Sequence, residues 1–364
     1  MNILFVAADS IQEWNSSEWR MAIPCRALQR LPGHGAAIIN TEQFEASIRE
    51  RSAEGAMVGQ VDVIMYQRNM ATEGAFKAAN YWRNAGKAIV VDIDDGYTLL
   101  PPTNFAYRYW YENGGDKINN LKRMVPLMDG VSSPSKVILK DWQELGAQNT
   151  YHLPNYAQLD RFIGVRRTPH EGFWVGWGGS HSHYDTWWRS GCAEGLKLAC
   201  ERHPDMLVTI WGSDRSIFDA IPVPENQKRY MGSVHPTKIE EWPPALAQFD
   251  VSLAPLGGEY DQRRSWIHAL EPMLCRVPWI ASKGAPTADL ARWGRIVEHD
   301  APEEWAAQID DAYANRDRFV EDGYIQALNL TMERNAGQYM ETMIKILQRR
   351  RLQCGAKMPG VIRV

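Results

Sequence analysis

Apolar residues fall in short runs separated by amphipathic stretches. Residues 3–8 form a run suited to a strand buried on both faces, and similar runs stand at 36–40, 61–66, 88–91, 130–132 and 151–153. Stretches with helical spacing lie between them, such as 19–30 and 73–85. Residues 153–172 break the pattern with Pro, Asn and Gly. It then restarts: strands are predicted at 173–177, 207–211, 249–253 and 278–281, helices at 187–202 and 270–276. The tail 302–353 reads as helical. Strand–helix alternation predicts a parallel sheet covered by helices. Two units of similar size predict an α/β chain of two Rossmann-like domains, 1–157 and 170–335, with parallel sheets facing a central cleft. The segment 336–364 then packs on the second domain or crosses back to the first.

Composition narrows the classes. A chain of 364 residues is too long for one ordinary core and suits two. Its net charge of −4 gives no global basic field to recruit nucleic acid. Arg349-Arg350-Arg351 reads as a solvated helix end, where cations suit the dipole. Cys25, Cys192, Cys200, Cys275 and Cys354 are widely spaced, which argues against a disulfide framework or a structural zinc site. Asp9 follows the first apolar run at once, so that run reads as a strand and not a leader. No apolar stretch reaches the roughly 18–20 residues of a membrane helix. A reducing, cytoplasmic setting without a transmembrane segment is expected. The 15 tryptophans are core material, and their flat faces also suit sugar rings and nucleobases.

The chemistry concentrates between residues 250 and 282. Asp250-Val-Ser-Leu-Ala-Pro-Leu256 reads as a strand, a polar loop follows, and Arg264-Ser265-Trp-Ile-His-Ala-Leu-Glu271 opens a helix. Ser265 stands where the helix would begin, so its amide is placed to meet a phosphate. Arg264 offers a cationic fork for a diphosphate. Glu271 lies where a carboxylate accepts hydrogen bonds from ribose hydroxyls. A capped helix carrying surface charges is the other reading of this spacing. Gly178-Gly179-Ser180 ends a predicted strand, and small residues there let backbone amides approach an anion, or form an ordinary tight turn.

The 250–282 stretch resembles the donor-site signature of GT-B retaining glycosyltransferases, the family 4-like group (glycosyl transferases group 1) that includes sucrose and glycogen synthases and bacterial mannosyltransferases. Tyr260-Asp261 stands at that family's Phe-Asn, Arg264-Ser265 at its Lys-Ser, His268 at its second lysine and Arg276-Val-Pro278 at its Gly-x-Pro. Glu271 stands at its ribose-binding glutamate. Ser132-Ser-Pro-Ser135, Leu153-Pro-Asn155 and Leu159-Asp-Arg-Phe162 are similar to the end of its first domain. Val175-Gly-Trp-Gly-Gly-Ser180 resembles its second-domain opening, and Val208-Thr-Ile-Trp-Gly212 the strand and glycine one unit later. The resemblance implies a hexosyltransferase that moves a sugar from a nucleotide-sugar donor to an acceptor hydroxyl with retention. No cofactor is required, the nucleotide-sugar being a substrate. It assigns Gly178, Gly179, Ser180, Gly212, Arg264, Ser265 and Glu271 to the donor. The family's arginine–lysine pair after the second-domain opening is missing, because that loop reads Ser180-His-Ser-His183, and the first of its paired glutamates is Arg263. Phosphate binding is therefore expected to lean on Arg263 and Arg264.

Asp92-Ile-Asp94-Asp95-Gly96 ends a strand on the expected cleft side. Carboxylates there act as a general base or orient an acceptor hydroxyl, hold a divalent cation, or form a plain polar turn. Enzymes of this group generally work without a metal, so the resemblance favours acceptor-side catalysis by Asp94 or Asp95 and no metal site. His181 is the third catalytic candidate, as a donor contact. Tyr107, Tyr109 and Trp110 are candidates for acceptor stacking, with a helix packed against the cleft as the alternative. The acceptor is expected to be a glycan, a lipid-linked glycan or a hydroxymethylated base of viral DNA, the last served by a basic strip of Arg108, Lys117, Lys122 and Arg123. Two rival expectations stand: a nucleotide-sugar 2-epimerase of the same architecture, and a degenerate, non-catalytic nucleotide-binding module.

Overall fold

The computed structural model describes residues 1–11, 13–68, 72–112, 117–212, 214–232 and 240–355. Six parallel strands form the first sheet: β1 (Asn2–Ala7), β2 (Gly35–Asn40), β3 (Val63–Gln67), β4 (Ala88–Asp92), β5 (Gly130–Ser133) and β6 (Thr150–His152). Their order is β2-β1-β3-β4-β5-β6. The second sheet holds β7 (Phe173–Gly179), β8 (Met206–Gly212), β9 (Lys228–Tyr230), β10 (Val251–Ala254), β11 (Trp279–Ser282) and β12 (Arg295–Val297), again all parallel. Their order is β12-β11-β10-β7-β8-β9. The chain is α/β, with two parallel sheets and helices around them.

Every residue of β3 and β4 is buried, as the unbroken Val and Ile runs require of strands covered on both faces. Burying each such side chain stabilises by about 1.5–3 kcal/mol, which makes the sheet centres the main source of cohesion. In each sheet the order reverses beside the opening strand: β1 lies between β2 and β3, and β7 between β8 and β10. Loops leaving two such strands diverge to opposite faces and open a crevice at the strand carboxyl ends. That rule puts residues after β1, β3, β7 and β10 around a ligand.

Two local differences from the expected pattern have physical causes. The helix expected at 19–30 starts as a π-helical turn, Glu18–Ala22, and becomes α-helical only over Ile23–Gln29. Pro24 has no N–H to give the carbonyl of Arg20, so a regular α ladder cannot cross it. The basic run 349–351 does stand at a helix end, with Arg349 exposed, but it is only partly solvated. Arg350 is buried, 3.5 Å from Asp129, and donates to the carbonyl of Arg83, while Arg351 faces Asp62 at 3.8 Å. These contacts clamp the closing helix Met332–Gln353 onto the first domain, where it packs against helix Ile23–Gln29, β3 and β4. The return passes beside the outgoing linker: Ala157 donates to Leu330 at 3.1 Å and Met332 donates to Ala157 at 2.8 Å. All five cysteines are free, and Cys25, Cys192 and Cys200 are buried. Among the described residues no helix is long and apolar enough to cross a membrane.

Candidate functional site

The carboxyl ends of the two sheets face a cleft of about 1030 Å³, as large as substrate sites run. Its first-domain wall carries Asp9 and Glu13 after β1, Arg68 after β3, and Asp94 and Asp95 after β4. Its second-domain wall carries Ser180 and His181 after β7, Asp214 after β8, and Tyr260 and Arg264 after β10.

Arg68 organises the first wall. Its φ of 23° is left-handed, a conformation that costs a non-glycine residue about 1 kcal/mol or more. The turn aims its guanidinium into a web of acceptors. Nη2 meets both Asp9 oxygens at 2.6 Å, and Nη1 reaches Ser16 Oγ at 2.7 Å and Asp94 Oδ2 at 3.2 Å. Tyr97 donates its hydroxyl to the other Asp94 oxygen at 3.0 Å. Asp94 is thus fixed from two sides while facing the cleft. Asp95 accepts from the Gly96 amide at 2.9 Å and from the Tyr260 hydroxyl of the opposite domain at 2.5 Å. Burial raises the Asp95 pKa, with Arg264 and Tyr260 opposing the shift. Asp92 plays another part. It turns inward to a bidentate pair with buried Arg20, at 2.6 and 2.9 Å, and so ties β4 to the first helix.

On the second wall, Arg264 gives Nε to Asp261 at 2.5 Å and Nη2 to the Ser182 carbonyl at 3.2 Å. Asp261 is itself held by the Thr186 hydroxyl at 2.6 Å and the Gly257 amide at 2.8 Å. A recess of about 160 Å³ continues the cleft past Arg264, lined by Asn155, Ser265, His268, Asp94 and Asp95. Burial pulls the His268 pKa down to about 4, helped by neighbouring Arg264. His181 Nδ1 lies 2.7 Å from Ser216 Oγ and 3.3 Å from Asp214 Oδ2, and its ring stacks on Tyr184. Among the described residues no group of three or more His, Cys, Asp or Glu side chains is arranged to hold a metal ion.

Several expected site residues do different work. A Cβ on Gly178 would stand 2.1 Å from the Trp242 ring, and one on Gly179 would stand 2.5 Å from Trp177. Both glycines therefore make room for indoles, and only Ser180 of that trio lines the cleft. Gly212 closes β8, where a Cβ would stand 2.6 Å from the Asp214 carbonyl oxygen, and accepts from the Tyr230 hydroxyl at 3.1 Å. Arg263 points away from the cleft. It pairs with Asp141 of the first domain at 2.7 Å and with Glu259 at 2.9 Å, joining the two domains. Ser265 does not open its helix, which runs over Ile267–Leu274. The Trp266 indole donates to the Asn155 carbonyl at 2.7 Å and holds the preceding turn on the linker, where Ser265 Oγ accepts from Asn155 Nδ2 at 2.8 Å. Tyr107 stacks on Tyr111 outside the cleft lining. Trp110 reaches the cleft but is packed against Tyr97, and Tyr109 lines the wall.

Glu271 is the largest surprise. It lies outside the cleft lining, 3% exposed, beneath two tryptophans. Trp242 donates to its Oε2 at 3.0 Å, Trp14 also reaches it, and Oε1 has no hydrogen-bond partner among the described residues. Burial pushes its pKa up to about 8.

Asp9, Arg68 and Asp214 were not singled out as site residues by sequence, and Tyr260 entered only as part of the donor-site resemblance. A signal existed for two of them: Asp9 and Arg68 stand one or two positions beyond predicted strands, where ligand-facing residues of parallel sheets belong.

No protein-family model matches the chain, and no curated protein sequence does. Solved structures do match. A glycosyltransferase from Rickettsia africae aligns over 95% of this chain and 98% of its own, with a TM-score of 0.63 and 14% identity. HepE from Anabaena, in complex with UDP-glucose, aligns over 95% of this chain and all of its own, with a TM-score of 0.64 and 14% identity. A protein from Listeria monocytogenes assigned as a UDP-N-acetylglucosamine 2-epimerase aligns over 100% and 99%, with a TM-score of 0.53 and 12% identity. Such identities carry the fold alone. With two parallel α/β domains about one cleft, this chain has the GT-B fold.

Proposed function

We propose that this protein is a glycosyltransferase that moves a sugar from a nucleotide-sugar donor to an acceptor hydroxyl. The observation that carries the reading is one cleft in which a cation and a fixed carboxylate meet. Arg264, Ser265 and Asn155 line a polar recess that Asp94 and Asp95 close from the first domain, and Asp94 is clamped there by Arg68 and Tyr97. In the recess, Arg264 exchanges part of its contact with Asp261 for the donor diphosphate and stabilises the charge that develops as it leaves. Asp94 accepts a hydrogen bond from the acceptor hydroxyl and orients it, and the proton passes to the departing diphosphate oxygen on the same face, as retention requires. His181, backed by Asp214, contacts the donor from the β7 loop. Glu271, whose Oε1 has no partner among the described residues, is the candidate acceptor for a ribose hydroxyl. HepE with bound UDP-glucose supports a uridine-linked hexose as donor. The resemblance of 250–282 to the retaining family supports retention.

A panel of nucleotide-sugars tests this, with thermal protection and donor hydrolysis as readouts. Protection by at least one donor is expected; none with any nucleotide or nucleotide-sugar overturns the reading.

A second reading, epimerisation of the donor sugar, is favoured by proton-transfer groups on both walls: His181 with Asp214 faces Asp94 and Asp95. Moving a proton off and onto a sugar carbon needs such a pair. Deuterium uptake into a UDP-N-acetylhexosamine in heavy water, without acceptor, would select it.

A further inference from the structure

The acceptor half of the cleft carries its own selectivity. Asn104 is 5% exposed and lines the cleft. Its Oδ1 accepts from the Ala106 amide at 2.9 Å, which fixes the orientation of the side-chain amide. Its Nδ2 is buried with no partner among the described residues. A buried amide donor left unpaired costs about 1–3 kcal/mol, a cost that an incoming oxygen removes. The next residue, Phe105, lines the same cleft with its ring 64% exposed. An apolar ring held open to solvent at the mouth of a substrate cleft is a stacking surface for an apolar ring face. Glu13, which makes no ion pair among the described residues, and the fixed Asp94 supply acceptors for hydroxyl protons.

Charge sets the class of ligand. Five carboxylates line the cleft against two guanidiniums. Both guanidiniums are already engaged, Arg68 by Asp9 and Asp94 and Arg264 by Asp261. A bound donor adds further negative charge. With Arg264 taken up by the donor diphosphate and Arg68 held by Asp9 and Asp94, a phosphate-bearing acceptor would meet repulsion with no further guanidinium among the described lining residues to offset it. The basic strip does not change this. Arg108 pairs with Glu112 at 3.6 Å, Lys117 sits 3.6 Å above the Tyr109 ring, and neither lines the cleft.

We infer that Asn104 and Phe105 form the acceptor subsite and that it takes an uncharged sugar ring, not a phosphodiester or a sugar phosphate. The inference rests on the transferase reading, which it refines. Calorimetric titration with neutral di- and trisaccharides of gluco, galacto and manno configuration tests it. Glucose 6-phosphate, a short DNA duplex carrying hydroxymethylcytosine, and a set of nucleoside diphosphates are titrated separately. At least one neutral saccharide is expected to bind. Phe105→Ala should weaken it by about five- to tenfold, leaving nucleotide binding and melting temperature unchanged because the ring is exposed. Asn104→Asp keeps the oxygen for Ala106 but loses the donor, and should also weaken the saccharide selectively. Saccharide affinity unmoved by both substitutions, no saccharide binding at all, or tighter binding of DNA or the sugar phosphate would each overturn the subsite. Saccharide binding without any nucleotide binding would instead overturn the transferase reading.

Discussion

Glu271→Gln is the sharpest test of how burial shapes the second domain. The carboxylate is 3% exposed and has one partnered oxygen and one bare one. Burial raises its pKa from 4.5 to about 8, with Trp242, Trp14 and Arg161 pulling the other way. A folded-state pKa above the unfolded one means that the folded chain holds the proton more tightly. The resulting stabilisation is complete below the unfolded pKa and is lost as pH rises through the folded one. At about 1.36 kcal/mol per unit, ionisation costs up to about 5 kcal/mol by the top of that window. Glutamine keeps an oxygen for Trp242 and cannot ionise. Urea unfolding of both proteins from about pH 5 to pH 9 should give stabilities that nearly coincide at the acid end. They should then diverge, with the glutamine variant more stable by several kcal/mol at the alkaline end. Other groups titrate in both proteins, so the difference belongs to Glu271. A difference independent of pH would refute the argument, and so would a variant that loses ground as pH rises.

Other substitutions probe separate links. Gly178→Ala drives a methyl into the Trp242 ring, so a loss of about 1–3 kcal/mol is expected from overpacking, read as a lowered melting temperature. Arg263→Ala breaks the pair with Asp141 across the domains. It should cost about 1 kcal/mol in urea unfolding and increase the radius of gyration in solution scattering, whereas an unchanged radius would deny Arg263 a role in holding the cleft closed. Asp94→Asn keeps the size and one oxygen for Arg68, leaves Tyr97 a partner only if its hydroxyl turns to accept, and removes the carboxylate that holds the acceptor hydroxyl. Transfer should fall by about 10²–10⁴-fold with donor affinity retained, and a rate within a few-fold of the parent would remove Asp94 from the chemistry.

The sheets were legible because burial on both faces writes itself as apolar runs: β1, β3, β4 and β11 each show one, and β7, β8 and β10 are interrupted only by the small residues Gly176, Thr209 and Ser252. Lys228–Tyr230 and Arg295–Val297 escaped notice because these edge strands open on cations and carry no apolar run long enough to mark them. Site residues were harder to read for a different reason. Spacing shows that Gly178 and Gly179 end a strand, but not that Trp242 and Trp177 fill the space a Cβ would take. Arg263 and Arg264 are neighbours with equal chemistry, yet one faces Asp141 across the domain boundary and the other faces the cleft. Only the turn Asp261–Arg263 decides which is which. Asn104 and Phe105 carry no motif, and their importance lies in one unpaired atom and one exposed ring.

The two crossings at Ala157 and Leu330–Met332 have a consequence for recombination. They run side by side and are bonded to each other, and the last helix then lies on the first domain. One half of the molecule is thus assembled from early and late stretches of the chain, and the other from its middle. A hybrid that borrows the second half from another such chain must receive it as an internal cassette spanning about residues 158–330, not as a replaced tail. A swap at a single junction would bring a foreign helix onto β3 and β4 and strand Asp129 without Arg350. With both junctions inside one pair of hydrogen bonds, the cassette enters and leaves at the same point, so its length can vary without disturbing the seam.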